Sequence, residues 1–304
     1  MCRDAMSHAT LVLEPYAAIP TLTWVDAARG VSDRRFALQP REMALDAAAW
    51  LAHAEVICAR QRRRPSAVVV VSWAWPDVAS DAAALAHDSD LLARTCAALA
   101  VPGQLVDEGG ARARGETRFG VGVGLGDHMH IGFGVRAAGL QLRGRWRVHK
   151  DGRPWSADGL VIDPHGPAHG GSGWLRDWTW PESLVAAAAL LGHHRAAEDA
   201  SLDGSAALQP WLDGLQRHSP LADDVAAEAG EALGVALGGL MNVLDLPDVV
   251  LHVAPALLRP RVQTLARAAL ARHSFASLRE GHRWHSPTLG ADAVPLGAAC
   301  SVAP

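Results

Sequence analysis

The chain has 304 residues, 49% of them apolar and 20% charged, with a formal net charge of −4. That length gives one large domain or two lobes with ample material for a core, and that balance excludes a disordered chain. It also excludes a predominantly basic nucleic-acid binder. The strongest basic run, "RQRRRP" at 60–65, reads as the solvated end of a helix, where cations are favoured.

The opening "MCRDAMSHATLVLEP" lacks a charged head followed by an apolar core, and no apolar run is long enough to span a bilayer. Three short β patterns follow, "ATLVLEP" (9–15), "TLTWVDA" (21–27) and "RRFALQP" (34–40), which suggest an antiparallel meander. Helical spacing of apolar residues predicts a helix over about 43–61, and the β-branched run "SAVVVVSWAW" (66–75) predicts a strand buried on both faces. Another helix, "SDLLARTCAALAVPG", stops at Pro102-Gly103, and "QLVDEGG" (104–110) reads as a short strand ending on Asp107 and Glu108. The second half repeats the pattern. "HMHIGFGVRAAGLQLRGRWRV" (128–148) predicts two strands around a turn; helices follow over 182–194, 205–219 and 223–245, then a buried strand over 248–255 and a helix over 261–275. A meander followed by strand–helix alternation, met twice, predicts a mixed α/β fold of two similar lobes. Cys2, Cys58, Cys96 and Cys300 form no C-x-x-C pair, the usage expected of reduced thiols in cytoplasm.

Several stretches together resemble the ROK family of repressors, open reading frames and sugar kinases. "ALGVALGGLMNVLDLPDVVL" (232–251) is similar to the family's long helix, asparagine-containing turn and buried strand. "LARTCAALAVPGQLVDEGGARARGETRFG" (92–120) looks like its helix–strand–helix around the catalytic acid, down to the terminal Glu-x-x-Phe-Gly. "LGADAVPLGAAC" (289–300) is similar to the closing segment with its Gly-Ala-Ala helix start, and "GLVIDPHGP" (159–167) to the approach to the family's structural zinc site. The resemblance implies a two-lobed actin-like, ribonuclease-H-like fold, with an N-terminal lobe over 1–118 and a C-terminal lobe over 119–304 whose last helix packs back toward the first. It also implies a homodimer. ROK repressors carry an N-terminal helix-turn-helix; residues 1–40 read as strands, so no nucleic-acid partner is expected.

The family's chemistry does not carry over position by position. Its first phosphate cradle is an acid followed by Gly-Gly-Thr; here "LEPYAAIPT" keeps only Glu14. The second becomes "GFGVRAAG" (132–139), with Phe133 and Arg136 intruding, and a glycine pair near the adenosine becomes His252-Val253. Backbone N–H groups need close approach to bind phosphate, so no ATP or Mg site is expected. The Asn-Asp pair holding the general base aligns with Asp107 and Glu108, the candidate catalytic residues. The family's Gly-Glu-Ile-Gly-His, which grips sugar and begins the zinc site, aligns with "WSADG" (155–159), where Ser156 replaces the glutamate. Its zinc cysteines align with "HGGSGWLR" (169–176), giving His169, Trp174 and Arg176. No tetrahedral ligand set remains, so no zinc is expected, and tryptophan packing is expected to hold the loop instead.

Candidate ligand-binding residues are therefore Arg136, Trp155, Ser156, His169, Trp174 and Arg176, with the two arginines suited to an anion. His128 and His130 share one face of a predicted strand, but without a third ligand at motif spacing they read as core histidines. Three functions remain open on sequence: a catalytically silent protein binding a small sugar-derived or anionic ligand in the interlobe cleft, an ATP-independent enzyme using Glu108 and Asp107, and a divergent sugar kinase.

Overall fold

The computed structural model describes residues 9–15, 20–26, 30–36, 47–72, 82–148, 155–163, 165–167, 171, 173–180, 183–184, 186–187, 220–254, 256–275 and 281–302. The chain divides into two compact units, residues 1–123 with 288–304 and residues 124–287. The same topology occurs in each.

In the first unit, β1 (Ala9–Glu14), β2 (Thr21–Asp26) and β3 (Gly30–Phe36) form the expected meander. The third strand pairs Thr21 with Phe36 and Asp26 with Gly30, earlier than the 34–40 read from its apolar residues, because pairing along β2 and not apolar content sets its limits. Helix α1 (Ala47–Gln61) leads to β4 (Ala67–Ser72), α2 (Ala82–Leu99) to β5 (Gly103–Asp107), and α3 (Glu108–Phe119) follows directly. The sheet order is β3-β2-β1-β4-β5, with β1, β4 and β5 parallel. Valines of β4 alternate between two cores. Val68 and Val70 join Leu11, Leu13, Trp50, Ile57 and Leu91; Val69 and Val71 join Val12, Val106 and Ala111.

The second unit has β6 (His128–Phe133), β7 (Ala138–Leu142) and β8 (Arg145–Trp146), three strands where two were expected, because the Arg143-Gly144 turn folds β8 back. The short helix α4 (Arg176–Thr179), helix α5 (Pro220–Leu244), β9 (Asp248–Val253), α6 (Arg259–His273) and β10 (Arg283–His285) complete it. Its sheet order, β10-β9-β6-β7-β8, mirrors the first. Met129, Ile131, Phe133, Val249 and Leu251 pack on Leu233, Leu237 and Met241 of α5 and on Val262 and Ala266 of α6. Strand β10 escaped the sequence reading, since three residues with a single apolar one carry no period. The helices expected over 182–194 and 205–219 lie mostly outside the described residues.

The last helix, α7 (Ala293–Ala299), belongs to the first unit, where it lies on α3. A Cβ at Gly297 would overlap the Ala111 carbonyl, and one at Gly115 would overlap that of Ala293. These two glycines let the backbones touch. Gly297-Ala298-Ala299 thus closes the helix instead of opening it, as the resemblance implied. The turn leaving α3 and the segment entering α7 share one acceptor. Buried Glu116 receives hydrogen bonds from the Val121 (3.0 Å), Thr288 (2.9 Å) and Leu289 (2.8 Å) amides and from the Thr288 hydroxyl (3.2 Å).

Candidate functional site

In the first unit the parallel strands end on polar groups: β1 on Glu14, β4 on Ser72 and β5 on Asp107, with Ser72 and Asp107 in register. Such strand ends are where α/β folds collect their chemistry. Asp107 is extended (φ −74°, ψ 135°) and its carboxylate accepts the Gly110 amide at 2.5 Å, capping α3. The strand expected to run through Gly110 therefore stops at Asp107, and Glu108 is the first helical residue. Glu108 pairs with Arg112 one turn on, at 2.8 Å. Glu14 accepts from the Thr21 hydroxyl at 3.0 Å. Each acid thus has a partner within its own unit.

The remaining candidates lie in the second unit. Gly132 and Gly134 are required by the chain's own path. A Cβ on Gly132 would overlap the Val135 carbonyl, and Gly134, at φ +63°, approaches the Ala254 carbonyl as closely while donating to Thr179 at 2.7 Å. After that turn, the Arg136 guanidinium lies over Trp180, 4.8 Å from the ring centre. Arg176 reaches the same ring at 5.6 Å and that of Trp174 at 4.2 Å. The two arginines named as an anion pair are thus gathered on one indole, by cation–π attraction and side-chain packing. Ser156 donates to Asp158 at 2.6 Å and accepts its amide at 3.0 Å, a local turn around a buried carboxylate. Trp155 packs against the edge of the core. His169 lies outside the described residues.

The glycine loop has visible supports. Val161 and Trp174 form an antiparallel bridge, flanked by Ile162 N–H to Gly173 (2.8 Å) and Leu175 N–H to Leu160 (2.8 Å). Asp163 accepts the His165 amide (2.9 Å), and Asp177 that of Trp174 (3.0 Å). Trp178 and Trp180, which follow it in the chain, are buried, and Trp178 donates to Glu228 at 3.2 Å. Among the described residues, no three His, Cys, Asp or Glu side chains gather as a metal would need.

The face of this sheet opposite α5 is polar and was not foreseen. His128 and His130 of β6, Asp248 and His252 of β9, and Arg283 and His285 of β10 share it by register. His130 Nδ1 and His252 Nε2 are 3.0 Å apart, and His128 is hydrogen-bonded to the Gly126 carbonyl at 2.8 Å. Asp248 accepts two bonds from Arg283 (2.7 and 2.6 Å) and one from His285 (2.7 Å). Burial, reinforced by the neighbouring His252 and His128, holds His130 well below the ordinary imidazole value. Burial also lowers His128, against its bond to Gly126. Burial alone would raise Asp248, but the bonds from Arg283 and His285 outweigh it and leave the carboxyl below its usual range. The spacing of His128 and His130 was visible in the sequence; the register bringing His252 beside them was not.

No family model matches the chain, and no curated protein matches it by sequence. Solved structures do match. A ROK hexokinase from Thermus thermophilus superposes with a TM-score of 0.67 and 19% identity, over 96% of this chain and 98% of that one. The chain has the ROK fold. A ROK-family glucokinase from Streptomyces griseus in complex with glucose and AMPPNP gives 0.67 and 18%, over 96% and 98%. A ROK-family transcriptional regulator, homologous to the E. coli Mlc protein, gives 0.66 and 17%, over 97% of this chain and 78% of that one. The mixed sheets flanked by helices are those of the actin-like ATPase architecture expected from the sequence. No helix among the described residues is long and apolar enough to cross a membrane.

Proposed function

We propose that this is a ROK-like protein that binds a small anionic, sugar-derived ligand without ATP-dependent phosphorylation. The observation that carries the reading is Arg136 and Arg176 on the Trp180 ring, 4.8 and 5.6 Å from its centre. A guanidinium stacked on an aromatic face is held in a fixed orientation, and its planar fork matches the geometry of a carboxylate or phosphate; buried Trp180 is the platform that positions both cations. Support for the absence of phosphorylation comes from the glycine positions. Gly132 and Gly134 serve their own turn, and where the family's glycine pair near the adenosine would lie, His252 is buried against His130 and Val253 is in the core. The reading includes a homodimer, as the family resemblance implies, and no nucleic-acid partner.

A second reading, an enzyme using Asp107 and Glu108, is favoured by the place of Asp107 at the carboxyl end of β5, beside Ser72. The kinase form of that reading requires Mg-ATP to bind.

Thermal denaturation with Mg-ATP, glucose, glucosamine and glucose 6-phosphate separates these. A ligand that binds the folded state alone raises the melting temperature by mass action. Stabilisation by the sugar phosphate but not by Mg-ATP, lost in Arg136→Ala/Arg176→Ala, is the expected result. Stabilisation by Mg-ATP with phosphate transfer to a sugar would overturn it, as would sugar-phosphate binding that ignores the two arginines.

A further inference from the structure

The second unit carries a separate cavity of about 630 Å³ on the side of the sheet covered by α5. Leu140 of β7, Trp155 and Ile162 from the loop, and Ala236 and Leu240 of α5 contribute to its walls. Its volume lies within the range of small-molecule sites. At its rim, Val148, Val161 and Val243 are 51%, 60% and 80% exposed, half of the large apolar side chains so exposed among the described residues. Gly239 lies in the lining, and a Cβ built there meets nothing within 4 Å, so the helix leaves the space open. Among the described residues of the lining Arg147 is the only charged one, and no described carboxylate pairs with it.

We infer that this groove binds a medium-chain aliphatic carboxylate, with the chain along α5 and the headgroup at Arg147. Charge complementarity selects an anion: the described lining supplies one cation and no acid, while its other residues, all apolar, favour methylenes. The inference is independent of the Arg136–Trp180–Arg176 cluster, whose lining residues it does not share.

The test uses the full chain titrated calorimetrically with hexanoate, octanoate, decanoate and 1-decanol, all below micelle-forming concentrations. One saturable site is expected, tightening about fourfold per added methylene (about 0.8 kcal/mol). Decanol should bind at least tenfold more weakly than decanoate, and Arg147→Gln should erase that preference. Gly239→Phe should fill the groove and abolish both while the circular dichroism spectrum and melting temperature hold, since helix propensity improves at that position. Equal binding of decanoate and decanol to the parent, or undiminished binding by Gly239→Phe, would overturn the inference. So would sedimentation showing a dimer that Gly239→Phe splits, which would make the groove a subunit contact.

Discussion

Replacing Glu116 is expected to loosen the first unit more than its single charge suggests. The carboxylate is fully buried and accepts from three backbone amides and one hydroxyl, at 2.8–3.2 Å. Bonds to a charged acceptor contribute about 1.5–3 kcal/mol each, but Thr288 is exposed and Val121 and Leu289 half-exposed, so water recovers part of the loss. The expected cost of Glu116→Ala is about 3–5 kcal/mol. Glu116→Gln keeps one acceptor oxygen, which can serve Thr288 and Leu289, but presents an amide N–H toward the Val121 N–H; about 1–2 kcal/mol should be lost. Urea denaturation of the three proteins measures the difference, and hydrogen exchange at Val121, Thr288 and Leu289 localises it. An alanine variant within 1 kcal/mol of the parent, with unchanged protection at those amides, would refute the account.

Two further outcomes follow from named contacts. Asp107→Asn should leave stability almost unchanged, because asparagine caps a helix as well as aspartate, whereas Asp107→Ala should cost about 1 kcal/mol; ligand binding or turnover that survives in the asparagine variant would confine Asp107 to the cap. His130 is held neutral by burial, with its folded-state value depressed. The unfolded chain therefore takes up its proton first, and stability should fall as pH drops below about 6.5, by up to about 1.4 kcal/mol per pH unit for that residue. His128, His252, Asp248, Arg283 and His285 share its face of the sheet, and His128, also lowered by burial, adds to the slope in the same direction. Denaturation midpoints between pH 7.5 and 5 measure the slope, which should be shallower in His130→Phe; an unchanged slope would refute the assignment.

The amino-acid sequence determined the class of fold because the information is local. The continuous β-branched run of β4 admits no half-exposed strand, and the apolar period of α5 admits no other element. Order then did the rest: a meander, then strand–helix alternation, met twice, leaves few topologies. The Glu-x-x-Phe-Gly ending of α3 was legible as a resemblance, but its physical reason, a carboxylate tying Val121 to Thr288 and Leu289, needed the fold. The same holds for Arg136 and Arg176. Their residue type suggested an anion, and only packing put both on Trp180. Asp107 and Glu108 were read as a strand end, because a helix cap is a matter of where a side chain points. The histidine face required strand register, and the groove along α5 required two stretches distant in sequence, 140–162 and 235–244, to enclose one space. Periodicity reports what a residue's neighbours in the chain demand; register and cavities depend on distant segments brought together by tertiary packing.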